Sequence, residues 1–146
     1  PRRFELEYAA QDGTRKTPVA IHRVIYGSME RFIGILIEHY AAAFPLWLAA
    51  TQVKVLPISE KHNEYGMKVL RALKDAGLRA EIDDANESLG KKIRNAKTEK
   101  VPYIFVVGEK EETAGTVGVE TRAGSEGEQP LDVMITRLVN EYKARS

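Results

Sequence analysis

The segment Val101-Pro102-Tyr103-Ile104-Phe105-Val106-Val107 is one of the longest apolar runs in this chain of 146 residues. A run with so little polar alternation is typical of a β-strand that is covered on both faces. Two further strands are predicted upstream, at Gln52–Ile58 and Arg79–Ile82. Because helical patterns separate the three strands, the segment predicts the middle of a layered α/β domain.

Two helices are predicted between these strands. The first runs from about His62 to Ala76 and stops at Gly77, which can adopt the left-handed conformation that ends many helices. The second runs from Leu89 to about Lys97, with Ser88 or Asn86 as its cap.

The chain after the apolar run adds another strand and a final helix. Residues 109–115 are predicted as a turn, Thr116–Arg122 as an alternating strand and Ala123–Pro130 as a polar loop before a helix from Leu131. The element order β-α-β-α-β-β-α predicts a three-layer α/β fold with a mixed, mainly parallel sheet and one antiparallel strand.

The first 43 residues have a different pattern. Phe4–Tyr8 and Val19–Tyr26 are the predicted strands of a hairpin that turns at Gln11–Thr14. A helix beginning at Ser28 follows, and Phe44-Pro45 should end it. Because a hairpin and one helix are marginally stable alone, we expect this block to be the end of a larger sheet.

The first turn of that helix carries an arginine where helix electrostatics favours an acid. With Ser28 as N-cap, Arg31 lies at the position that a capping box gives to Glu or Gln. A cation beside the free N–H groups of a helix start is understandable where an anion binds between them, and phosphate is the first candidate. The alternative is that Arg31 faces solvent and pairs with Glu30 or another surface acid.

The composition narrows the class of protein. Apolar residues make up 43% of the chain, which is enough for about one ordinary domain, and a net charge of +1 creates no global field for nucleic acid. The absence of cysteine excludes disulfides and thiolate metal ligands within these residues. No apolar run is long enough to span a membrane, and no secretory signal opens the chain. We therefore expect a cytoplasmic protein without a membrane partner.

Two local features have both a structural and a functional interpretation. A basic patch is either a solvated helix face or a surface for nucleic-acid phosphates. Its members are Lys91, Lys92, Arg94, Lys97 and Lys100. His22, at the end of a predicted strand, is either an ordinary histidine or a metal ligand whose partners come from elsewhere.

Two strings of residues resemble a known family. Ile21-His22-Arg23 and Gly27-Ser28-Met29-Glu30-Arg31-Phe32 closely resemble motif 3 of the bacterial-type threonyl-tRNA synthetases, which are class II enzymes. The remainder resembles their C-terminal anticodon-binding domain. Its landmarks are Phe44-Pro45-Leu46-Trp47-Leu48-Ala49, Ala76-Gly77-Leu78-Arg79, Lys92-Ile93-Arg94, Val101-Pro102-Tyr103 and Gly108-Glu109-Lys110-Glu111.

This resemblance implies two domains, the end of a catalytic domain at residues 1–43 and an anticodon-binding domain at residues 44–146. It implies that Arg31 holds the ATP phosphates, that Ser28 lies beside threonine, and that His22 binds a zinc ion which selects threonine by its hydroxyl. The other zinc ligands and motifs 1 and 2 are not among these residues, so we expect the chain to be inactive alone. The parent enzyme is expected to be a homodimer that uses ATP with magnesium, and zinc, to attach threonine to tRNA-Thr.

The same resemblance places anticodon contacts in the second domain. Asn86 and Glu111 match positions that read base edges, and Lys100 matches one that holds phosphate or stacks on a base. Glu120 departs from the family, which usually has an arginine at that position. Either Arg122 takes over this role or the chain reads the anticodon differently.

A hypothesis from another class stays open. A non-catalytic RNA-binding module could keep the anticodon-domain fold, and both Glu120 and the missing catalytic motifs suit such a module. Motif 2 together with Cys and His ligands upstream in the gene would decide for the enzyme.

Overall fold

The computed structural model describes residues 1–145. Its helices are α1 (Met29–Tyr40), α2 (Asn63–Asp75), α3 (Leu89–Thr98), α4 (Glu109–Ala114) and α5 (Leu131–Ala144). Its strands are β1 (Tyr8–Ala9), β2 (Arg15–Lys16), β3 (Val53–Pro57), β4 (Ala80–Ile82), β5 (Tyr103–Val107), β6 (Thr116–Thr121) and β7 (Gly124–Pro130). One compact unit begins at Pro1 and ends at Ile35, and a second begins at Leu36. None of these helices in the described chain is both long and apolar enough to cross a bilayer.

The first unit contains a short β-hairpin. β1 and β2 pair antiparallel with Tyr8 opposite Lys16, and the Gly13 N–H donates to Ala10 O at 2.9 Å in the predicted turn. Gly13 has φ +76°, a conformation that glycine adopts without strain. The predicted hairpin turn is therefore confirmed.

The long strands predicted for this hairpin are wrong. Phe4–Tyr8 is extended only at its last residue, and Val19–Tyr26 contains neither helix nor strand. No residue in the first unit is buried, and the apolar side chains of Val19 and Ile21 are 86% and 87% exposed. A hairpin lengthens where neighbouring strands or a packed face stabilise it, and within residues 1–145 no other strand pairs with β1 or β2.

Helix α1 begins where the sequence predicts but ends before Phe44-Pro45. Ala41 and Ala42, directly after the helix, have φ +48° and +61°. The Ala42 N–H donates to Ile37 O at 2.9 Å, which satisfies a carbonyl of the last turn. A left-handed conformation costs a non-glycine residue about 1–2 kcal/mol, so other contacts around Ala41 and Ala42 have to offset the strain.

Strands β3 to β7 form one sheet in the order β4-β3-β5-β6-β7. β3 pairs in parallel with both β4 and β5, whereas β5 pairs antiparallel with β6 and β6 antiparallel with β7. The predicted mixed sheet is confirmed, with parallel and antiparallel pairings in equal number. The second antiparallel pairing comes from β7, which the sequence pattern did not predict.

Helices cover both faces of this sheet. α2 and α5 contribute Val69 and Leu138 to the larger core on one face. α3 packs on the other face, where Ala96 lies against Leu56 and Ile104. Each of these five side chains is at most 2% exposed. The predicted three-layer arrangement is therefore confirmed, with the sheet as the middle layer.

Two segments predicted to be irregular are regular. Residues 109–114 form α4 instead of a turn, because the Glu111 carboxylate caps its start and Gly115 ends it at φ +69°. β7 replaces the predicted loop because its backbone pairs with β6 at six positions, while its side chains stay largely exposed. A polar edge strand has no apolar alternation, so the sequence pattern could not reveal it.

A buried glutamine connects the sheet to the segment that precedes it. Gln52 is fully buried, and its Nε2 donates to Leu46 O at 2.8 Å while its Oε1 accepts from the Arg79 N–H at 2.8 Å. The Arg79 guanidinium donates to Trp47 O at 2.9 Å and to Ala49 O at 2.8 Å. Hydrogen bonds from the side chains of Gln52 and Arg79 thus hold residues 46–49 against the start of β4.

Replacing Gln52 with alanine should lower the free energy of unfolding by about 2–4 kcal/mol. The Leu46 carbonyl and the Arg79 N–H would each lose a buried partner, and a cavity would remain. Chemical denaturation followed by circular dichroism measures the change. The matched control Gln129→Ala removes one exposed hydrogen bond to Glu126 O and should cost less than about 0.5 kcal/mol. Equal losses in the two variants would contradict this role of Gln52.

Candidate functional site

Two cationic residues lie close together at the end of the sheet where β5 begins. Lys100 precedes β5 and Arg122 follows β6, and the antiparallel pairing of these strands brings them together. Arg122 Nε donates to Lys100 O at 3.0 Å, its Nη2 donates to the same oxygen, and its Nη1 donates to Phe44 O at 2.7 Å. Lys100 Nζ in turn donates to Ala41 O. Burial lowers the pKa of Arg122, although a guanidinium stays charged at neutral pH.

These bonds stabilise a strained backbone. Lys100 has φ +55° and follows the C-cap of α3, where glycine is the usual residue. Its N–H donates to Lys97 O at 3.1 Å, and the Val101 N–H donates to Ala96 O at 3.2 Å. Because three nitrogens of Arg122 bond to backbone carbonyls, this arginine has a structural role at the corner.

Glu120 lies on β6 beside this corner and forms an ion pair with α3. Lys97 Nζ is 2.7 Å from Glu120 Oε2, an oxygen that is buried and has no hydrogen bond of normal geometry. The two side chains are 51% and 24% exposed, respectively. A cavity of about 380 Å³ adjoins the lysine, and its lining includes Lys97, Lys100, Thr121, Arg122 and Gly124.

Asn86 lies at the opposite end of the strands, in the loop after β4. It is exposed and lines a second cavity of about 380 Å³ together with Ser59 and Lys92. Lys92 is only 3% exposed, and its Nζ donates to Pro57 O at 3.2 Å and to Asp83 O at 3.0 Å. These two bonds attach the loop that carries Asn86 to the end of β3.

Glu111 lies at the start of α4, beyond the carboxyl end of β5. Its Oε2 accepts from the Gly108 N–H at 3.0 Å and thereby caps the helix. A side chain on Gly118 of β6 would lie 3.8 Å from its Oε1, so the carboxylate lies above that glycine. Burial raises the pKa of Tyr65, and the negative charge of Glu111 adds to this effect.

One sheet face carries most of these groups. Gly118 and Glu120 are two residues apart on β6 and pair with Val106 and Ile104, which face α3, so they share that face. We refer to the surface of Gly118 and Glu120, flanked by Glu111 at one end and by Lys97 and Lys100 at the other, as the β6 face.

The structure therefore groups four of the five predicted anticodon residues around the β6 face. They are Lys100, Glu111, Glu120 and Arg122. Asn86 and Glu111 both lie beyond the carboxyl ends of parallel strands. Asn86 follows β4, however, and β3 separates β4 from β5. Within residues 1–145, no side-chain hydrogen bond or ion pair joins Asn86 to the other four.

In the first unit, Ser28 caps α1 as predicted. The Arg31 N–H lies 3.4 Å from Ser28 Oγ, and the Ser28 hydroxyl donates to Glu30 Oε2 at 2.6 Å. That bond lowers the pKa of Glu30. Glu30 is therefore engaged by Ser28, and the exposed Arg31 forms no ion pair with any residue in the range 1–145.

His22 is exposed. The described part of the chain holds no group of three His, Cys, Asp or Glu side chains arranged to bind a metal ion. The residues present do not fit a zinc site by themselves, and a zinc role for His22 requires ligands from other residues of a parent protein.

Two lysines of α3 have separate roles that the sequence did not distinguish. Lys92 and Lys97 both belong to the predicted basic patch, yet the first is buried and the second pairs with Glu120. The sequence does contain a signal for the burial of Lys92, because this residue lies three residues after Leu89 and next to Ile93 on the apolar stripe of the helix. Nothing in the pattern identifies Glu120 as the partner of Lys97.

Known proteins resemble this chain over nearly its full length. The family model described as "anticodon binding domain" matches residues 52–145. A threonine–tRNA ligase of Caldanaerobacter subterraneus is 50% identical over 100% of the chain, and one of Acidobacterium capsulatum is 53% identical over 100%. The chain spans only 23% and 22% of these two relatives.

Solved structures resemble it as well. The RNA binding domain of a threonyl-tRNA synthetase from Cryptosporidium parvum is 35% identical, with a TM-score of 0.74 over 97% of this chain and 36% of that one. A prolyl-tRNA synthetase from the same organism, at 24% identity and a TM-score of 0.71, covers 99% of this chain and 32% of its own and shares the fold. The chain belongs to the anticodon binding domain family and is homologous over its whole length to part of the threonine–tRNA ligases.

Proposed function

We propose that this chain is the anticodon-reading part of a threonine–tRNA ligase, whose parent enzyme uses ATP to attach threonine to tRNA-Thr. The alignment at 50% identity over the whole chain carries the proposal, because it extends beyond the anticodon-binding family to the residues before it. Residues 44–146 bind the anticodon stem-loop, and residues 1–43 form the end of the catalytic domain.

The β6 face has the chemistry that such binding requires. Lys100 supplies a positive charge for the RNA backbone, since lysine contacts to phosphate provide much of the affinity of nucleic-acid binding. Glu111 on this face supplies acceptor atoms, and Asn86 in the separate loop after β4 supplies both acceptor and donor atoms, that can bond to the edges of unstacked bases. Arg122 positions this surface by holding the backbone at Lys100.

The first unit has features of a surface that the rest of a parent enzyme covers. Its large apolar side chains are exposed, and an apolar surface of this kind commonly marks an interaction site. Arg31 at the start of α1 holds the ATP phosphates, and Ser28 lies beside threonine. His22 would supply one ligand to a zinc site that other residues of the parent enzyme complete. The parent enzyme is a cytoplasmic homodimer.

The binding proposal is tested with an RNA hairpin that carries the tRNA-Thr anticodon loop. The chain should bind it more tightly than a hairpin of the same composition with a scrambled loop, because base contacts add to the phosphate contacts that both hairpins share. Fluorescence anisotropy at two salt concentrations measures both affinities. Equal affinity for the two hairpins would contradict anticodon reading.

Lys100→Ala should weaken binding of the cognate hairpin by about 1 kcal/mol and lower the slope of log K against log salt by about 1. The loss should be the same for cognate and scrambled loops, since a phosphate contact does not depend on the base. Lys68→Ala on α2, an exposed lysine paired with Glu64 at 3.6 Å, is the control and should change neither quantity. An unchanged salt slope in Lys100→Ala would exclude the phosphate contact.

Glu111→Gln separates base reading from helix capping. The amide oxygen of glutamine can still accept from the Gly108 N–H, so the fold should be retained. Discrimination between the cognate hairpin and one with a changed anticodon letter should fall by about 1–3 kcal/mol if the carboxylate contacts a base. Titration of the two hairpins measures this difference, and equal weakening of both would show that Glu111 does not read a base.

A further inference from the structure

Glu120 places a carboxylate among the cations of the β6 face. Lys97 Nζ lies 2.7 Å from Glu120 Oε2, and the Lys97 side chain is 51% exposed. Its charge would therefore be accessible to a ligand if the carboxylate did not neutralise it. Lys97 and Lys100 line the same cavity of about 380 Å³. A phosphate that contacts Lys100 would thus lie near Lys97 as well.

We propose that Glu120 withholds Lys97 from the RNA backbone and thereby limits the affinity of this chain for RNA of any sequence. The carboxylate acts through the lysine and does not contact the RNA, so Glu120 is a positioning residue. The inference rests on the proposed function and adds to it a residue that lowers binding instead of supplying it.

The burial of Glu120 keeps the lysine in place. The Glu120 side chain is 24% exposed, and its Oε2 is buried and accepts no hydrogen bond of normal geometry within residues 1–145. The Lys97 ammonium is the cation that balances this charge. Moving the lysine onto a phosphate would leave a largely buried carboxylate without a counterion, which is strongly unfavourable. A phosphate brought to the lysine in its present position would be repelled by the same carboxylate.

The neighbouring Lys100 is not restrained in this way. Its ammonium donates to Ala41 O and forms no ion pair with a carboxylate among residues 1–145. A carbonyl oxygen carries no net charge, so Lys100 keeps its full charge for a phosphate. Of two lysines three residues apart, one is therefore available to the RNA backbone and the other is neutralised.

The neutralised lysine affects all RNAs alike. A phosphate contact is common to every sequence, so withholding one weakens the complexes of matching and mismatching loops by the same factor. A loop that offers no base contacts then has little affinity left, whereas a matching loop keeps its base contacts.

The test compares wild type with Glu120→Gln and with the double variant Glu120→Gln/Lys97→Met, which has the net charge of wild type. Glutamine has the size of glutamate without its charge, so it should retain the fold and free Lys97. Each protein is titrated at several salt concentrations with the tRNA-Thr anticodon hairpin and with the scrambled hairpin. Glu64→Gln on α2 is the matched control, because it removes the carboxylate paired with Lys68 at 3.6 Å and changes the net charge equally. Thermal unfolding confirms that each variant is folded.

We expect Glu120→Gln to bind both hairpins about 3- to 10-fold more tightly, with the slope of log K against log salt steeper by about 1. The ratio of the two affinities should stay that of wild type. The double variant should return to the wild-type affinity and slope, because the gain depends on Lys97. Glu64→Gln should change neither quantity.

Four results would overturn the inference. A double variant with a slope lower than that of wild type by about 1 would show that Lys97 already contacts phosphate beside Glu120. Unchanged binding by Glu120→Gln would show that Lys97 lies out of reach of the RNA. An equal gain in Glu64→Gln would show an effect of net charge alone, and a gain for one hairpin only would show that Glu120 acts on a base. Each of these leaves the proposed function intact, whereas a wild-type chain that binds both hairpins equally would refute the proposed function itself.

Discussion

The hydrogen bonds from Arg122 to the carbonyls of Lys100 and Phe44 hold the corner on which the candidate site depends. Ala41, Ala42 and Lys100 all adopt left-handed backbone conformations there, each at a cost of about 1–2 kcal/mol. Hydrogen bonds from a charged group contribute about 1.5–3 kcal/mol each, which is of the same size as that strain. The hydrogen bonds from Arg122 and from the Lys100 ammonium therefore stabilise backbone conformations that would otherwise favour glycine.

The sheet topology distributes the candidate residues over the two ends of the strands. The parallel strands β3, β4 and β5 place the loop of Asn86 and the start of α4 at their carboxyl ends. The antiparallel return through β6 carries the chain back to the amino end of β5, where Glu120 joins Lys97 and Lys100. A run of bases that lies along β6 would meet Glu111 at one end and the lysines at the other, so one strand provides an extended surface for an RNA loop.

The sequence predicted the elements whose signals are local and strongly patterned. The helix that ends at Gly77 is one such element, because that residue has φ +83° and Leu78 is buried behind it. Prediction from the sequence failed for the strands whose stability depends on distant partners. β7 exists only because β6 offers its backbone, and Val19–Tyr26 has no strand partner within residues 1–145.

The site shows the same division between local and long-range information. The resemblance to a known family indicated which positions to consider, and the structure brings most of them to one face. The resemblance could not reveal that the Arg122 guanidinium bonds to backbone carbonyls, since Phe44 is 78 residues away in the chain. The pairing of Glu120 with Lys97 likewise depends on how α3 crosses the sheet, which no local pattern encodes.

The basic patch of α3 is much less positive than its sequence indicates. Lys91 pairs with Glu87 at 2.7 Å, Lys97 pairs with Glu120, and Lys92 is buried against backbone carbonyls. Of the five cations in the patch, this leaves Arg94 and Lys100 without an acidic partner within residues 1–145. In the proposed complex with the anticodon stem-loop, this patch would therefore release few counterions beyond those displaced by Arg94 and Lys100. Recognition of the loop in that complex would then depend mainly on hydrogen bonds to base edges, because phosphate contacts carry no direct sequence information.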